Sequence, residues 1–403
     1  MSGPAGHRAA DSWDGRSAAE HVTAHVAVIG AGAVGLAVAV ELRRAGVDDV
    51  VVVEANSTAG RGSSSRANGG VRAQFTTAVN IAFSRFTIAG LADLDRTSGG
   101  LVGLRRVGYL FMTGTEPGEQ ALRKGQALQR SLGVEVRWLT PAEILDIAPF
   151  IRPHGLRAGT FCADDGILDP AGVVAALNQE ARRLGVRCLF DERVVALECG
   201  NHKVRLRSTR VSVDAAHVVN AAGPGAAEVA ALAGVELPVK PYRRNLACTE
   251  PVAGFADPIP MCVDLDTGVL VRREAGGFLL ACADPTDPPS ADTTFDPAFL
   301  DALAQRVGNR FPFLADVAIN HRKCWAGLYP QTPDHHAIID FAKASRRIIH
   351  CAGFGGHGIM HSLAAGRAVA ELVRDGRCTT FDLAPLRLSR FAEGALTIET
   401  AVL

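Results

Sequence analysis

His25-Val26-Ala27-Val28-Ile29-Gly30-Ala31-Gly32-Ala33-Val34-Gly35 decides the fold, because an apolar run breaks there into a glycine turn that opens a helical pattern. The periodicity runs from Gly35 to Ala45 through Leu36, Ala37, Val40 and Leu42, and Gly46 supplies the stop. A second apolar run, Val50-Val51-Val52-Val53, ends on Glu54 and Ala55. Strand, glycine turn, helix, strand and acid follow in the order that a dinucleotide-binding βαβ unit requires. Gly30 permits the tight turn, Gly32 lets the backbone approach a pyrophosphate, and Gly35 lets the helix pack close to the strand. Ala33 and Val34 complete the turn. Glu54 can accept hydrogen bonds from ribose hydroxyls. The motif admits FAD or NAD.

At 403 residues the chain is long enough for two domains sharing a site, since single cores rarely grow past ~250–300 residues. Its 42 basic and 42 acidic residues cancel, which gives no electrostatic case for nucleic acid or an anionic membrane. Nine cysteines are scattered singly with no C-x-x-C, unlike a disulfide framework or a zinc site. A reduced, cytoplasmic setting and no metal are expected. Residues 1–22 are polar and small and read as a disordered leader, and no apolar stretch is long enough to span a bilayer.

Residues 56–75 form a Gly/Ser/Asn-rich loop carrying Arg61, Arg66 and Arg72, and a loop of this length is usually functional. Helices are predicted at about 78–94, 117–132, 171–184 (capped by Asp169-Pro170), 225–233 and 297–310. Strands are predicted at Val107–Phe111, near Arg193-Val194-Val195, at Lys203–Leu206 and at His217–Ala222. Antiparallel strands are expected at Tyr242–Thr249, Gly268–Arg272 and Gly277–Ala283. The end returns to strand-turn-helix style, with Arg347–Cys351, a glycine loop at 353–358 and a helix to Val373. A single NAD domain would keep its strands contiguous. The split pattern predicts an α/β fold in which a Rossmann-like FAD-binding domain of discontinuous segments (23–80, 150–237 and 331–380) is interleaved with an antiparallel-sheet substrate domain (81–149 and 238–330). Residues 381–403 are left as a C-terminal tail.

Four stretches carry a resemblance: GAGAVG…VVVEA (30–55), GSSSRANGGVRAQF (62–75), WAGLYPQTPDHHAIID (325–340) and CAGFGGHGIMHSLAAGRAVAEL (351–372). The chain resembles FAD-dependent amine oxidoreductases of the D-amino-acid oxidase superfamily, in the branch of sarcosine oxidase, dimethylglycine dehydrogenase and the proline dehydrogenase β subunit. The resemblance implies FAD as cofactor. It sets Arg61, Ser63, Ser64 and Asn68 along the diphosphate, and Gly69 and Gly70 against the isoalloxazine. Val194, Ala222, Gly355, Gly356, Gly358, Ile359 and Met360 complete the cofactor set. In this family Arg72 matches the arginine that clamps the amino acid's carboxylate, His357 lies beside the flavin, and Tyr329 faces the substrate cavity. The N–H groups of the helix after the 353–358 loop would stabilise the flavin's N1–C2=O edge as it gains charge.

Departures from the family narrow the reading. Monomeric sarcosine oxidase attaches its flavin to a cysteine where this chain has Gly327, and dimethylglycine dehydrogenase uses a histidine in a loop that here has none. The FAD is therefore expected to be non-covalent. The carboxylate arginine of glycine oxidase falls on Tyr329, and a substrate-contacting lysine of monomeric sarcosine oxidase falls on Met360. The lysine that activates oxygen has no counterpart around Phe278-Leu279-Leu280. The electron acceptor is left between O2 and a protein or quinone, with a partner subunit allowed.

The expected reaction is oxidation of the C–N bond of a secondary or tertiary amino acid of sarcosine, dimethylglycine or proline type. Alternatives are a non-catalytic assembly factor or subunit, a 2-hydroxy acid oxidoreductase and, furthest off, an NAD dehydrogenase. His335 and His336 are read as strand neighbours pointing to opposite faces, unable to share one metal.

Overall fold

The structure is a computed structural model that describes residues 20–284, 286–343 and 345–401. Val26–Ile29 and Val50–Val53 are buried on both faces, as parallel strands sandwiched between layers must be. Glu20–Ile29 runs at the centre of the first sheet, parallel to Val211–Asn220 on one side and Val50–Val53 on the other. Arg187–Leu189 continues the parallel set beyond Val50–Val53, and Ser345–Ala352 continues it beyond Val211–Asn220. Ile338–Ala342 closes that edge as an antiparallel hairpin. Helices Ala33–Arg44, Ala78–Thr97, Pro170–Arg183 and Ser362–Asp375 cover one face and share the largest apolar core. Helices 33–44 and 362–375 pack backbone to backbone, since a Cβ at Gly366 would stand 2.6 Å from the Ala37 carbonyl.

The second sheet is mainly antiparallel. Its strands, in spatial order, are Trp325–Gln331, Lys240–Cys248, Gly277–Cys282, Val269–Glu274, Met261–Asp264, Tyr109–Thr113, Ala158–Cys162 and Val136–Leu139. A separate apolar core lies against it, built around Phe278, Phe311 and Ile144. The mixed α/β architecture with two large sheets is as expected from the chain.

Four expectations are corrected. Residues 1–19 of the expected leader lie outside the described residues, and Glu20–Val22 already pair with Val211–Val213. The strand expected near Arg193–Val195 begins at Ala196 instead and runs to Cys199, antiparallel to Val204–Arg207, while Arg193 and Val194 precede it and line the cleft described below. Ala158–Cys162, within the 150–237 segment assigned to the nucleotide unit, joins the second sheet between Tyr109–Thr113 and Val136–Leu139. His335 and His336 sit in a turn, not a strand, with His335 at a φ of 59°.

The 381–401 segment is more than a tail. Arg390 is buried and holds the buried Asp334 carboxylate through two bonds of 2.7 and 2.9 Å. Further on, the Glu399 N–H donates to the Asp334 carbonyl at 3.1 Å, and the Glu399 side chain is wholly buried. The segment therefore straps across the 332–336 turn and the start of helix 78–97.

Candidate active site

A cleft of about 440 Å³ runs from the C-terminal ends of the parallel strands to the face of the second sheet. That is where an open α/β sheet places its ligand. At the first end the backbone does most of the shaping. Gly30 has a φ of +105°, and a Cβ there would stand 2.6 Å from the Ala221 carbonyl. At Gly35 a Cβ would stand 1.9 Å from the Gly30 carbonyl, so the helix touches the turn. The helix opens at Gly32 with no side-chain cap and no acid in its first turn. Its free N–H groups and positive dipole end suit a phosphate.

Glu54 is held by the Ala31 N–H at 2.7 Å on one oxygen and by the Asn56 N–H at 2.8 Å on the other. This fixes the carboxylate at the cleft wall, within reach of a ribose. Ser64 Oγ accepts from the Ala33 N–H at 3.0 Å. Ser63 Oγ lines the same stretch and is buried without a partner. A hydroxyl left in that state fits a missing phosphate oxygen.

Farther along, the cleft is lined by Gly353, Gly355, Gly356, Gly358 and Ile359 on one side and by Gly327, Tyr329, Leu246 and Leu270 on the other. The glycines leave room for a flat ring. Tyr329 packs onto Gly356, where a Cβ would stand 2.6 Å from its ring. Helix 362–375 contributes less than expected. It begins only at Ser362, and its Ala364 N–H donates to Thr87 Oγ1 at 3.1 Å. The short 3-10 turn Gly355–His357 lines the cleft in its place.

Behind this wall lies a buried cluster around Arg72. The arginine is 2% exposed, and its guanidinium carbon sits 4.0 Å from the Phe75 ring centroid and 5.4 Å from that of Phe111. It donates to the carbonyls of Gln74 and Ala401, and among the described residues no carboxylate pairs with it. Asp165 lies close enough to feel its charge. Yet Asp165 spends its oxygens on the Ala73 N–H at 2.7 Å and the Gln74 amide at 3.1 Å. Burial pushes the Asp165 carboxyl up to about 6 in spite of those bonds.

His357 is buried, edge-on to Phe75 at 4.8 Å and 5.6 Å from His361. Desolvation holds both imidazoles well below their ordinary values, helped by the Arg72 charge, so both are neutral at pH 7. His336 is lowered by burial too, and bonds Thr77 Oγ1 at 2.9 Å. Thr77 in turn donates to Glu399 at 2.7 Å, and Asn80 donates to the same oxygen at 3.0 Å.

Of the residues singled out in the sequence, Gly30, Gly32, Val34, Glu54, Ala55, Ser63, Ser64, Asn68, Val194, Ala222, Tyr329, Gly355, Gly356, Gly358 and Ile359 line one cleft. Ala33 and Gly35 stand just behind its turn. Gly69 and Gly70 lie one layer back, where a Cβ would meet the Leu168 carbonyl at 2.4 Å and Met261 Sδ at 2.7 Å. Met360, His357 and Arg72 are buried behind the lining, and Arg61 points to solvent outside it. The sequence reading missed Arg244, Asn245, Glu192 and the strap at 399–401. Arg244 and Asn245 sit in a strand that was recognised, but alternation alone does not say which face meets a ligand.

Fold and cleft together define a two-sheet flavoprotein with a dinucleotide site at the ends of its parallel strands. Residues 25–372 match the family described as FAD dependent oxidoreductase, and the chain belongs to that family, with FAD as its cofactor. It is 28% identical over 416 residues to FAD-dependent oxidoreductase domain-containing protein 1 of Xenopus laevis, spanning 91% of this chain and 82% of that one. It is 28% identical over 376 residues to the glycine oxidase of Geobacillus kaustophilus, spanning 91% and 96%. The solved L-proline dehydrogenase of P. horikoshii superposes with a TM-score of 0.87 at 26% identity, covering 93% of this chain and 100% of its own. No described helix is long and apolar enough to cross a membrane.

Proposed function

We propose that this FAD-dependent oxidoreductase oxidises the C–N bond of a secondary or tertiary amino acid and holds its carboxylate on Arg72. The observation that carries the reading is a buried guanidinium with no carboxylate partner among the described residues, set beside the glycine-walled part of the cleft. A buried guanidinium whose nearby acid, Asp165, is spent on Ala73 and Gln74 gains from a substrate carboxylate in a directly charge-assisted pair. Two of the relatives above are named for amino acids, glycine and L-proline.

Bound FAD supplies a two-electron hydride acceptor. The protein supplies position and charge. Arg72 anchors the carboxylate, and the Phe75 and Phe111 rings exclude water from around it. Tyr329 walls the side toward the cleft. His357 and His361, kept neutral by burial, neither compete with Arg72 for the carboxylate nor repel the amine. Loss of hydride from the α or N-methyl carbon of the free amine leaves an iminium ion, which water hydrolyses to the carbonyl product and the amine. The Ala401 carbonyl holds one side of the Arg72 fork, and the incoming carboxylate takes its place. The FAD is non-covalent: position 327 is glycine, and a Cβ there would already meet the Arg66 backbone at 3.0 Å.

The test is anaerobic flavin absorbance during titration with N-methyl amino acids, proline analogues, primary amino acids and hydroxy acids. Bleaching by the N-substituted amino acids supports the reading, and readmitted air then shows whether O2 accepts the electrons. Bleaching by hydroxy acids alone, or by nothing in the panel, overturns it.

A further inference from the structure

Tyr242 lies opposite Tyr329 and Arg244 opposite Gly327 in the antiparallel pairing of Lys240–Cys248 with Trp325–Gln331. Residues two apart in a strand share a face, so these four positions form one patch. Gly327 sets no side chain across from Arg244, and the Arg66 backbone packs over it, 3.0 Å from where a Cβ would stand. The Arg244 guanidinium carbon lies 5.7 Å from the Tyr242 ring centroid and 5.8 Å from that of Tyr329, and the residue lines the cleft. Its side chain is only 13% exposed.

Its hydrogen bonding is incomplete. The Nε is buried with no partner. The Nη1 donates to its neighbour's carbonyl, that of Arg243, at 3.0 Å and to Asp287 at 3.0 Å. Asp287 is 45% exposed, and exposed ion pairs of this kind contribute ~0–1 kcal/mol and exchange readily. Arg244 therefore keeps donors for something that enters the cleft.

Arg244 lies 5.8 Å from the Tyr329 ring centroid, and the charges of both Arg244 and Arg72 act on its phenol. Burial raises the Tyr329 phenol above its ordinary value, and the charges of Arg244 and then Arg72 pull it back. The acids that line the cleft, Glu54, Glu192 and Glu228, belong to the nucleotide end. Glu192 is taken up by Arg210 at 2.7 Å and Ser208 at 2.6 Å. The far end has Arg244 and Arg66 in its lining and Arg72 behind it; Arg66 is taken up by the Ala326 and Thr293 carbonyls, and Asp165 behind Arg72 and Asp287 at the rim are the acids near the other two.

Resting on the amino-acid reading above, we propose that Arg244 is a second anionic anchor and that the substrate is an amino acid carrying a second acidic group. One carboxylate sits on Arg72 and the other on Arg244, with the C–N bond held between them past Tyr329. A dicarboxylate gains both pairs, and a matched monocarboxylate gains one.

The test uses the FAD-loaded protein and non-oxidisable probes, so it does not depend on turnover. Flavin difference spectra give Kd for glutarate and for butyrate in the wild type, Arg244→Gln, Arg244→Lys and Asp287→Asn. Glutarate is expected to bind at least tenfold tighter than butyrate in the wild type. Arg244→Gln brings that ratio close to 1, Arg244→Lys retains part of it, and Asp287→Asn raises it two- to threefold by freeing the guanidinium. Anaerobic reduction by N-methylglutamate against N-methylalanine is expected to follow the same ratio. Equal affinity for the two probes in the wild type overturns the proposal, as does a ratio unchanged in Arg244→Gln. So does loss of FAD from Arg244→Gln with the probe ratio intact, because it assigns the guanidinium to the cofactor. If glutarate discriminates yet no amino acid bleaches the flavin, the anion site stands and the amine-oxidation reading fails.

Discussion

At the nucleotide end of the cleft, the contacts come from backbone held in place by local sequence. Gly30, Gly32 and Gly35 fall within six residues, and Glu54 closes the unit one strand later. At the substrate end, side chains converge from places far apart in the chain. Arg72 comes from a loop, Arg244 and Tyr329 from paired strands, and the Ala401 carbonyl from a strap more than 300 residues beyond Arg72. A backbone-built site tolerates almost no added atoms, whereas a side-chain-built site can exchange one partner for another. The first end recognises a cofactor shared by a family. The second is free to vary with substrate.

The largest expected effect follows from that intolerance. Gly35→Ala would place a Cβ 1.9 Å from the Gly30 carbonyl, backbone against backbone, where no side chain can rotate aside. We expect a loss beyond the ~1–3 kcal/mol usual for overpacking, with little FAD retained on purification. Gly308→Ala is the matched control, since nothing lies within 4 Å of its Cβ position, its φ is an unstrained −63° and it lies outside the cleft. Flavin absorbance and a thermal melt of both variants check this. Similar behaviour of the two would mean that the turn is looser than its geometry.

The strap comes next. Glu399 is wholly buried and accepts from Thr76, Thr77 and Asn80. Glu399→Ala would strand these donors, each at roughly 1–3 kcal/mol, so a loss of ~3 kcal/mol or more in denaturant unfolding is expected. Glu399→Gln keeps one acceptor and should lose less. A change below ~1 kcal/mol for Glu399→Ala would mean that the strap is only loosely seated.

Arg72→Ala should leave FAD bound, because Arg72 stands behind the cleft lining rather than in it. Removing a charge-assisted clamp worth ~1.5–3 kcal/mol should raise KM for the carboxylate substrate about 10- to 100-fold. A KM within about twofold of wild type would remove the clamp and leave Arg72 as a support for Gln74 and the strap.

The same contrast explains how much was legible in the sequence. The βαβ unit was readable because each of its requirements is local, and Gly30 does adopt the positive φ that its place in the turn asked for. The Asp169 cap was legible for the same reason: its side chain accepts from the Ala171 N–H at 2.9 Å. Val194 reached the cleft just ahead of Ala196–Cys199, because where that short strand begins is set by its pairing with Val204–Arg207 and not by its own residues. Arg244 was invisible as a site residue, since its place beside Tyr329 depends on strand pairing with a segment more than 80 positions away. The strap left no signal at all. A buried glutamate in Thr-Ile-Glu-Thr is recognisable only once Thr76, Thr77 and Asn80 are seen around it.

The last expected effect is a pH dependence, and it separates two buried carboxyls, Asp165 and Glu399, that titrate in opposite directions. Asp165 is raised by burial from 3.8 to about 6, so the folded state binds its proton more tightly than the unfolded chain does. Its contribution is therefore full below about pH 4, falls as pH rises toward 6, and is flat above, with a slope of at most ~1.4 kcal/mol per pH unit. Glu399 runs the other way. Its bonds from Thr76, the Ala401 N–H, Thr77 and Asn80 outweigh burial and lower it below 4.5, so its contribution is present above that pH and lost as pH falls through its folded value. Asp165→Asn should thus gain on the wild type between pH 4 and 6, while any deficit of Glu399→Gln should shrink below pH 4.5. Urea unfolding of the three proteins from pH 3.5 to 7.5 measures both. Parallel curves for Asp165→Asn and wild type would mean that Asp165 is ionised at its ordinary value, held there by Arg72. The guanidinium would then already have its counter-charge, and a substrate carboxylate would have far less to gain from it.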